Sequence, residues 1–337
     1  MIANEFAGEG HISEAWFVYK AGDMPASTVR QNIFCESAPD SPTDWWNFLK
    51  NYRSALIEFK PDVIIGFHPL ANVLGALAKP ITGCRFIASQ HNPSQSQRFS
   101  LRHLDRAIGC TPLYNNVICV SKAVSRSFEF YPKPYRNKIK IIHNGLPELS
   151  AIDDDKKTCR RHFGLPAEGI CVGTLGRLHF QKNIEFLIEL AATTKHQHFV
   201  IAGEGPDEHQ LREQVEKLSL SNRVHFTGKL ENKDVSRFYR AIDVFAMPSR
   251  YEGFGLTLVE AMSMGLPVLC SNLESLREVG GPAARYLDLN IEDWKTTLHE
   301  LANNQTKSAE MRQLGQKRAT SFSRERMVRN YLDLLEQ

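Results

Sequence analysis

Short runs of β-branched and aliphatic residues, each followed by an amphipathic stretch, recur along this chain. In the first part they are Val63-Ile64-Ile65-Gly66, Arg85-Phe86-Ile87-Ala88, Asn116-Val117-Ile118-Cys119-Val120 and Ile139-Lys140-Ile141-Ile142. Runs this short and this evenly apolar suit strands of a parallel sheet covered on both faces; a half-exposed antiparallel strand would alternate. Parallel neighbours need crossovers, and the intervening amphipathic stretches supply them, so the pattern predicts a doubly wound α/β fold. It is interrupted once. After Asn144-Gly145-Leu146-Pro147 the composition turns to Asp153-Asp154-Asp155-Lys156-Lys157, and then the alternation restarts. Strands are expected at 170–175, 198–202, 224–226, 244–247 and 267–270, with helices at 183–193, 207–218, 232–241, 257–264, 291–303 and 323–336. The expected organisation is therefore two Rossmann-like units, 1–148 and 149–320, with a terminal helix in 321–337.

The 337 residues leave room for two separate cores, and a chain that is 42% hydrophobic and 23% charged is globular in composition. Seven cysteines are scattered and never spaced as Cys-x-x-Cys, which points to neither a disulfide framework nor a zinc site but to a reducing cytosol. The most apolar region, 63–81, is broken by His68, Pro69, Asn72 and Pro80, so it reads as neither a spanning helix nor a signal peptide. Between Arg85 and Lys140 ten basic residues face two acidic ones, Asp105 and Glu129, a local excess of +8. With Phe99, Leu101, Phe128, Phe130 and Tyr131 interleaved, that excess suits an anionic acceptor or anionic lipid headgroups. The structural alternative is a solvated helix face with scattered salt bridges. No nucleic-acid-binding motif accompanies the charge.

Chemistry concentrates in the second half. Glu252-Gly253-Phe254-Gly255 reads as a strand-end turn entering a helix, and Glu260 falls in that helix's second turn. The unpartnered amides of a helix N-terminus attract phosphate, the glycines allow close backbone approach, and an ionised glutamate accepts hydrogen bonds from both hydroxyls of a vicinal diol such as ribose. Two carboxylates flanking a bed of donors suit a molecule with a diphosphate between two polyhydroxylated rings. Upstream, Gly173-Thr174-Leu175-Gly176-Arg177-Leu178-His179-Phe180-Gln181-Lys182 places two cations on one loop after a strand, both able to reach one diphosphate. Fixed cations stabilise the negative charge that develops on a departing nucleoside diphosphate, with no metal required.

The stretch from Pro248 to Gly265, continuing as Leu266-Pro267-Val268-Leu269-Cys270-Ser271, closely resembles the donor-site signature of the GT4 family of retaining glycosyltransferases, which have the two-domain GT-B fold. The resemblance implies that Glu260 binds the ribose and Glu252 the transferred sugar. It gives the distal phosphate or the sugar to the amides around Gly253, Phe254, Gly255 and Leu256. Arg177 and Lys182 resemble the family's diphosphate-binding pair. Gly203, in Gly203-Glu204-Gly205-Pro206, resembles its Gly-x-Gly-Pro turn, and Phe226, in Asn222 to Gly228, lies in a segment like its base pocket. His91 follows the run 85–88 and resembles the active-site histidine that contacts the donor sugar. Ser121, Lys122 and Asn144-Gly145 resemble further cleft positions. The implied activity is transfer from a nucleoside-diphosphate sugar, UDP-linked by default, to a glycan or glycolipid. The reading includes no cofactor, no metal requirement, and a cytoplasmic or peripheral position on the inner face of the plasma membrane. Asp153-Asp154-Asp155 contains an Asp-x-Asp, the metal pattern of the other large glycosyltransferase fold, but lies in the expected linker and is read as solvated.

The resemblance is strong from Gly173 to Ser271 and poor before residue 40. Glu14-Ala15-Trp16-Phe17-Val18-Tyr19 resembles the second strand of the family's first domain. The first β-α unit with its Gly-Gly loop is therefore expected to be missing, leaving a central strand position empty or filled by another segment. That keeps open a truncated product or a catalytically silent nucleotide-sugar-binding subunit, and a sugar-nucleotide epimerase is a further alternative. A nicotinamide dehydrogenase is disfavoured, because the third glycine and the following acidic residue of the dinucleotide fingerprint are not in place.

Overall fold

The computed structural model describes residues 2–20 and 27–336. The chain divides into two compact units, Met1–His143 with Glu325–Gln337, and Asn144–Arg324. The sequence put these boundaries at 148/149 and 320/321.

The first unit runs α1 (Ile2–Gly8), β1 (Glu14–Phe17), β2 (Arg30–Ile33), α2 (Pro42–Phe59), β3 (Val63–Gly66), α3 (Pro69–Thr82), β4 (Arg85–Gln90), α4 (Phe99–Gly109), β5 (Asn116–Cys119), α5 (Lys122–Arg126), α6 (Lys133–Arg136) and β6 (Ile139–Ile141). Local chemistry sets several ends. Ser41 and Asp44 form a reciprocal capping box at the start of α2, with Pro42 in its first turn. Strands β3-β4-β5-β6 form one parallel sheet, and β1 and β2 form a separate parallel pair. No strand lies between β1 and β3 among the described residues, so the sheet is interrupted there. In β4, Phe86, Ile87 and Ala88 are fully buried, whereas β1 is half-exposed throughout and β3 over Val63, Ile64 and Ile65. On one face Ile87, Ile118 and Ile142 pack with Phe6 and with Met327, Val328, Tyr331 and Leu334 from the terminal helix, whose range is Arg324–Glu336. On the other, Leu56, Ala78 and Cys84 pack with Trp16, Tyr52 and Ile64.

The basic segment is less uniform than its sequence suggests. Asp105 is buried and accepts from Tyr114 and Tyr135 hydroxyls, each at 2.8 Å, and burial holds its carboxyl above the usual range. Phe128 and Tyr131 belong to the interior, a correction to their reading as surface aromatics, while Phe99 and Phe130 remain 71% and 86% exposed.

The second unit runs α7 (Lys156–His162), β7 (Cys171–Leu175), α8 (Ile184–Thr193), β8 (His198–Ala202), α9 (Glu208–Lys217), β9 (Val224–Gly228), α10 (Asn232–Ala241), β10 (Val244–Met247), α11 (Leu256–Ser263), β11 (Val268–Ser271), α12 (Glu274–Gly280), β12 (Ala284–Leu287), α13 (Ile291–Asn303) and α14 (Gln305–Ala319), followed by the terminal helix, α15. Its sheet is parallel in the order β12-β11-β10-β7-β8-β9. The strand order reverses between β7 and β10, so the loops leaving these neighbours diverge to opposite faces and open a crevice at their carboxyl ends. The core is continuous, from Leu187 and Ile188 through Phe199 and Ile201 to Leu269 and Trp294.

The acidic run before α7 is solvent-exposed at Asp153 and Asp155, in line with its solvated reading, and two of its carboxylates also have partners. Asp154 accepts from Arg237 Nε at 2.7 Å, and Asp155 caps α7 by accepting from the Thr158 amide at 2.7 Å. Among the described residues no cluster of three or more His, Cys, Asp or Glu is placed to hold a metal.

Candidate functional site

The loops at the β7/β10 switch point carry the candidate residues of the second unit. After β7 the chain passes Gly176 and Arg177, makes a single 3-10 turn over Phe180–Lys182, and enters α8 through Asn183, which is held left-handed at φ 55°. This turn is tied to the segment after β10. The Arg250 amide donates to the Gln181 carbonyl at 2.8 Å, Gln181 Nε2 donates to the Tyr251 carbonyl at 3.1 Å, and Arg250 lies over the Phe180 ring at 4.1 Å and pairs with Glu185. Those ties bring Lys182 Nζ to 2.5 Å from Glu252 Oε1, across 70 residues of sequence. Ser249 Oγ donates to the same oxygen at 3.1 Å, and Ser275 Oγ holds the Glu252 carbonyl at 2.7 Å.

Next to this pair α11 begins. Gly255 is its N-cap at φ 85°, and a Cβ there would meet Leu276 Cδ2 at 2.6 Å, so both backbone angle and space demand glycine. No side chain caps the helix, and by geometry the amides of its first turn, Leu256 and Thr257 among them, have no intrahelical acceptor. Leu258, Val259, Ala261 and Met262 are fully buried, each large one worth about 1.5–3 kcal/mol, and Met262 seats against Gly315 of α14. A Schellman closure at Gly265 ends the helix, with Leu266 N–H on the Ala261 carbonyl at 3.0 Å. The N-terminus of α11 is thus anchored by its own core face.

Glu260, buried on α11, accepts from the Tyr239 hydroxyl at 2.7 Å. Burial raises its pKa; the Tyr239 bond and the charge of Lys182 act in the opposite direction. Arg177 is exposed and makes no ion pair among the described residues. The turns after β8 and β9 complete this end of the sheet. Gly203, at φ 123°, donates to the Gly228 carbonyl at 2.8 Å, and a Cβ on it would lie 2.0 Å from the Gly176 carbonyl oxygen. Phe226 is half-buried under the Arg212 guanidinium, 4.4 Å from its centroid. Phe254 points inward, edge-on to Phe322 at 5.4 Å, so its side chain serves the interior rather than a ligand.

His91 belongs to the first unit. It follows β4, its Nε2 lies 3.0 Å from Ser89 Oγ, and Ser89 in turn lies 3.4 Å from the Tyr331 hydroxyl. Burial, then the neighbouring His68, lowers its pKa to about 4, so the ring is neutral near pH 7. Ser121 is taken up as the cap of α5, accepting from Val124 N–H at 3.1 Å, and Gly145 makes room for Arg324, whose Cα would lie 2.7 Å from a Cβ there. Tyr239 and Ser249 are contributors the sequence reading did not single out. So is Thr257, whose buried Oγ1 on the first turn of α11 has no hydrogen-bond partner in the structure. Ser249 and Thr257 carried a signal, by lying inside the Pro248-to-Gly265 motif; Tyr239 carried none.

Residues 155–318 match the family described as "Glycosyl transferases group 1", and residues 2–148 match "Glycosyltransferase Family 4". A relative from Escherichia coli, "O-antigen biosynthesis glycosyltransferase WclY", is 31% identical over 166 residues, 49% of this chain and 46% of that protein. The chain thus spans about half the length of such curated relatives. Two solved structures share the fold. Sucrose-phosphate synthase from Thermosynechococcus elongatus superposes with a TM-score of 0.86 at 18% identity, covering 100% of this chain and 91% of that one. Anabaena Alr3699/HepE in complex with UDP and glucose gives 0.82 at 20% identity over 92% and 86%.

Proposed function

Because the chain belongs to the GT4-type, group 1 glycosyltransferases of GT-B fold, we propose that it moves a sugar from a nucleoside-diphosphate sugar, UDP-linked by preference, to a glycan or glycolipid acceptor. The observation that carries this reading is the grouping of Lys182, Glu252, the open first turn of α11 and Glu260 at one switch point. Glu260, held by Tyr239, accepts from the ribose diol. The α11 amides and the cations Arg177 and Lys182 take the diphosphate, with no metal required. Glu252 takes sugar hydroxyls once Lys182 turns to phosphate. His91, neutral, is a hydrogen-bonding partner for the donor sugar rather than a titrating acid.

In the reaction the bond from the anomeric carbon to the distal phosphate oxygen breaks. The acceptor oxygen bonds to that carbon on the same face, giving retention, and the acceptor proton passes to the departing phosphate. The basic segment 85–140, with Phe99 and Phe130 exposed beside it, supports an acceptor at the inner face of the plasma membrane. A cytoplasmic site fits seven unpaired cysteines. Among the described residues no helix is long and apolar enough to cross a membrane.

A second reading, nucleotide-sugar binding without turnover, is favoured by the interrupted sheet of the first unit. Calorimetric titration with UDP, GDP and ADP, with and without magnesium, followed by NMR of products from the donor that binds, separates the two. Metal-independent binding with a retained product supports transfer, and saturable binding without turnover supports the second reading. No nucleotide binding by the folded chain refutes both.

A further inference from the structure

Ser89 and His91 stand two residues apart at the end of β4, so they share one side of the strand while Gln90 takes the other. Gln90 is locked there. Its Nε2 donates to both Asp105 carboxylate oxygens at 3.2 Å and to the Tyr135 hydroxyl at 3.1 Å, and its Oε1 accepts from Gln97 Nε2 at 2.8 Å. The strand end that carries His91 is thus held from the opposite side by a buried carboxylate.

On the His91 side, Ser89 is 1% exposed and meets His91 Nε2 at 3.0 Å and, more loosely, the Tyr331 hydroxyl of α15 at 3.4 Å. The supply of acceptors decides which group gives and which takes. Tyr331 is buried among Phe6, Ile87, Ile118 and Ile142, and burial pushes its pKa up to about 12, so it keeps its proton. Among the described residues Ser89 Oγ is the one acceptor within reach of that O–H, and a buried hydroxyl proton left unpaired is costly. Tyr331 therefore donates to Ser89, and Ser89 passes its own hydrogen to His91 Nε2. A ring nitrogen that accepts carries no proton, so the neutral imidazole bears its hydrogen on Nδ1. Nδ1 itself has no partner among the described residues, and the ring rests against Phe67 with centroids 5.7 Å apart. The opposite tautomer would hand a proton from Nε2 to Ser89 and strand that of Tyr331.

We propose that Ser89 and Tyr331 are positioning residues that fix His91 as the Nδ1–H tautomer, making it a hydrogen-bond donor rather than an acceptor toward the donor sugar. This rests on the reading of His91 as a contact of that sugar.

The test is long-range proton–nitrogen correlation NMR of the full chain, labelled at the histidine ring nitrogens, at pH 7 without ligand. The His91 signal is identified by its loss in His91→Asn. Wild type should show Nδ1 protonated and Nε2 bare. Ser89→Ala should turn the ring into a mixture of tautomers, and Tyr331→Phe, which keeps the packing against Ile87, should shift it the same way by less. Nε2 protonated in wild type overturns the proposal even if neither variant folds. An unchanged tautomer in folded S89A overturns the part of Ser89, and in folded Y331F that of Tyr331. Calorimetry with UDP and UDP-glucose separates this relay from the reading beneath it. S89A should weaken UDP-glucose about two- to tenfold, the worth of one neutral hydrogen bond, and leave UDP within about twofold. Equal losses for the two ligands, with the expected tautomer, overturn the donor-sugar contact and with it the positioning role. The wrong tautomer with a loss specific to UDP-glucose overturns the relay and leaves the contact standing.

Discussion

Replacing Lys182 by methionine removes the cation that neutralises Glu252, in a pair whose side chains are only 20% and 7% exposed. At 2.5 Å the gross attraction is about 7 kcal/mol at an effective dielectric near 20, most of it offset by desolvation. Stranding one member of a buried pair costs about 3–5 kcal/mol, and partial exposure of Lys182 brings the expectation for K182M to about 2–3 kcal/mol of unfolding free energy. E252Q costs less, because an amide keeps the Ser249 bond, and the double variant K182M/E252Q should recover at least half the K182M loss. Nucleotide affinity should behave differently. A lost hydrogen bond from a charged group is worth about 1.5–3 kcal/mol, so K182M should weaken UDP binding by about ten- to a hundredfold. The double variant should not restore it. Urea unfolding and calorimetric UDP titration of all four proteins complete the cycle. Recovery of UDP affinity in the double variant would refute the assignment, since Lys182 would then act only by quenching Glu252 and not by touching phosphate.

Gly203→Ala forces a Cβ to 2.0 Å from the Gly176 carbonyl at a φ of 123°, and should lower stability by about 2–3 kcal/mol in calorimetric scans while displacing the Arg177 loop. Because burial raises the Glu260 pKa above its unfolded value, the folded chain is favoured at low pH and loses stability as pH rises through the folded pKa. Glu260→Gln should therefore melt higher than wild type at pH 7, with the gain vanishing in acid, and should bind UDP less tightly. For His91 the sign is opposite. A folded pKa of about 4 against 6.5 means the unfolded chain binds the proton first, so wild type loses about 2 kcal/mol between pH 7 and pH 5 from this group, and His91→Asn should flatten that part of the slope in parallel unfolding series. Equal slopes in both proteins would show that His91 is solvated.

Much of the fold was legible because parallel strands buried on both faces leave a one-dimensional signature, and β4, β5, β10 and β11 lie where uniform apolar runs end in turns. β12 and α14 were not read. Ala-Arg-Tyr-Leu is polar enough to pass for a loop, and the apolar residues of α14 make no clear stripe. The donor-side motif was likewise written in local order, since a helix N-terminus, its glycine entry and a glutamate one turn on are neighbours along the chain. What local order does not carry is pairing at a distance. Lys182 meets Glu252 only because β7 and β10 are adjacent at the switch point, and Glu260 is satisfied only because α10 brings Tyr239 to it. Asp105 counted as a surface charge by composition, yet folding buries it among two tyrosines and a glutamine. The sequence by itself determined two doubly wound units and a glycine turn entering a helix, because periodicity and turn chemistry act between near neighbours. Tertiary structure alone decided which charges neutralise each other, because burial and pairing depend on strand order rather than on distance along the chain.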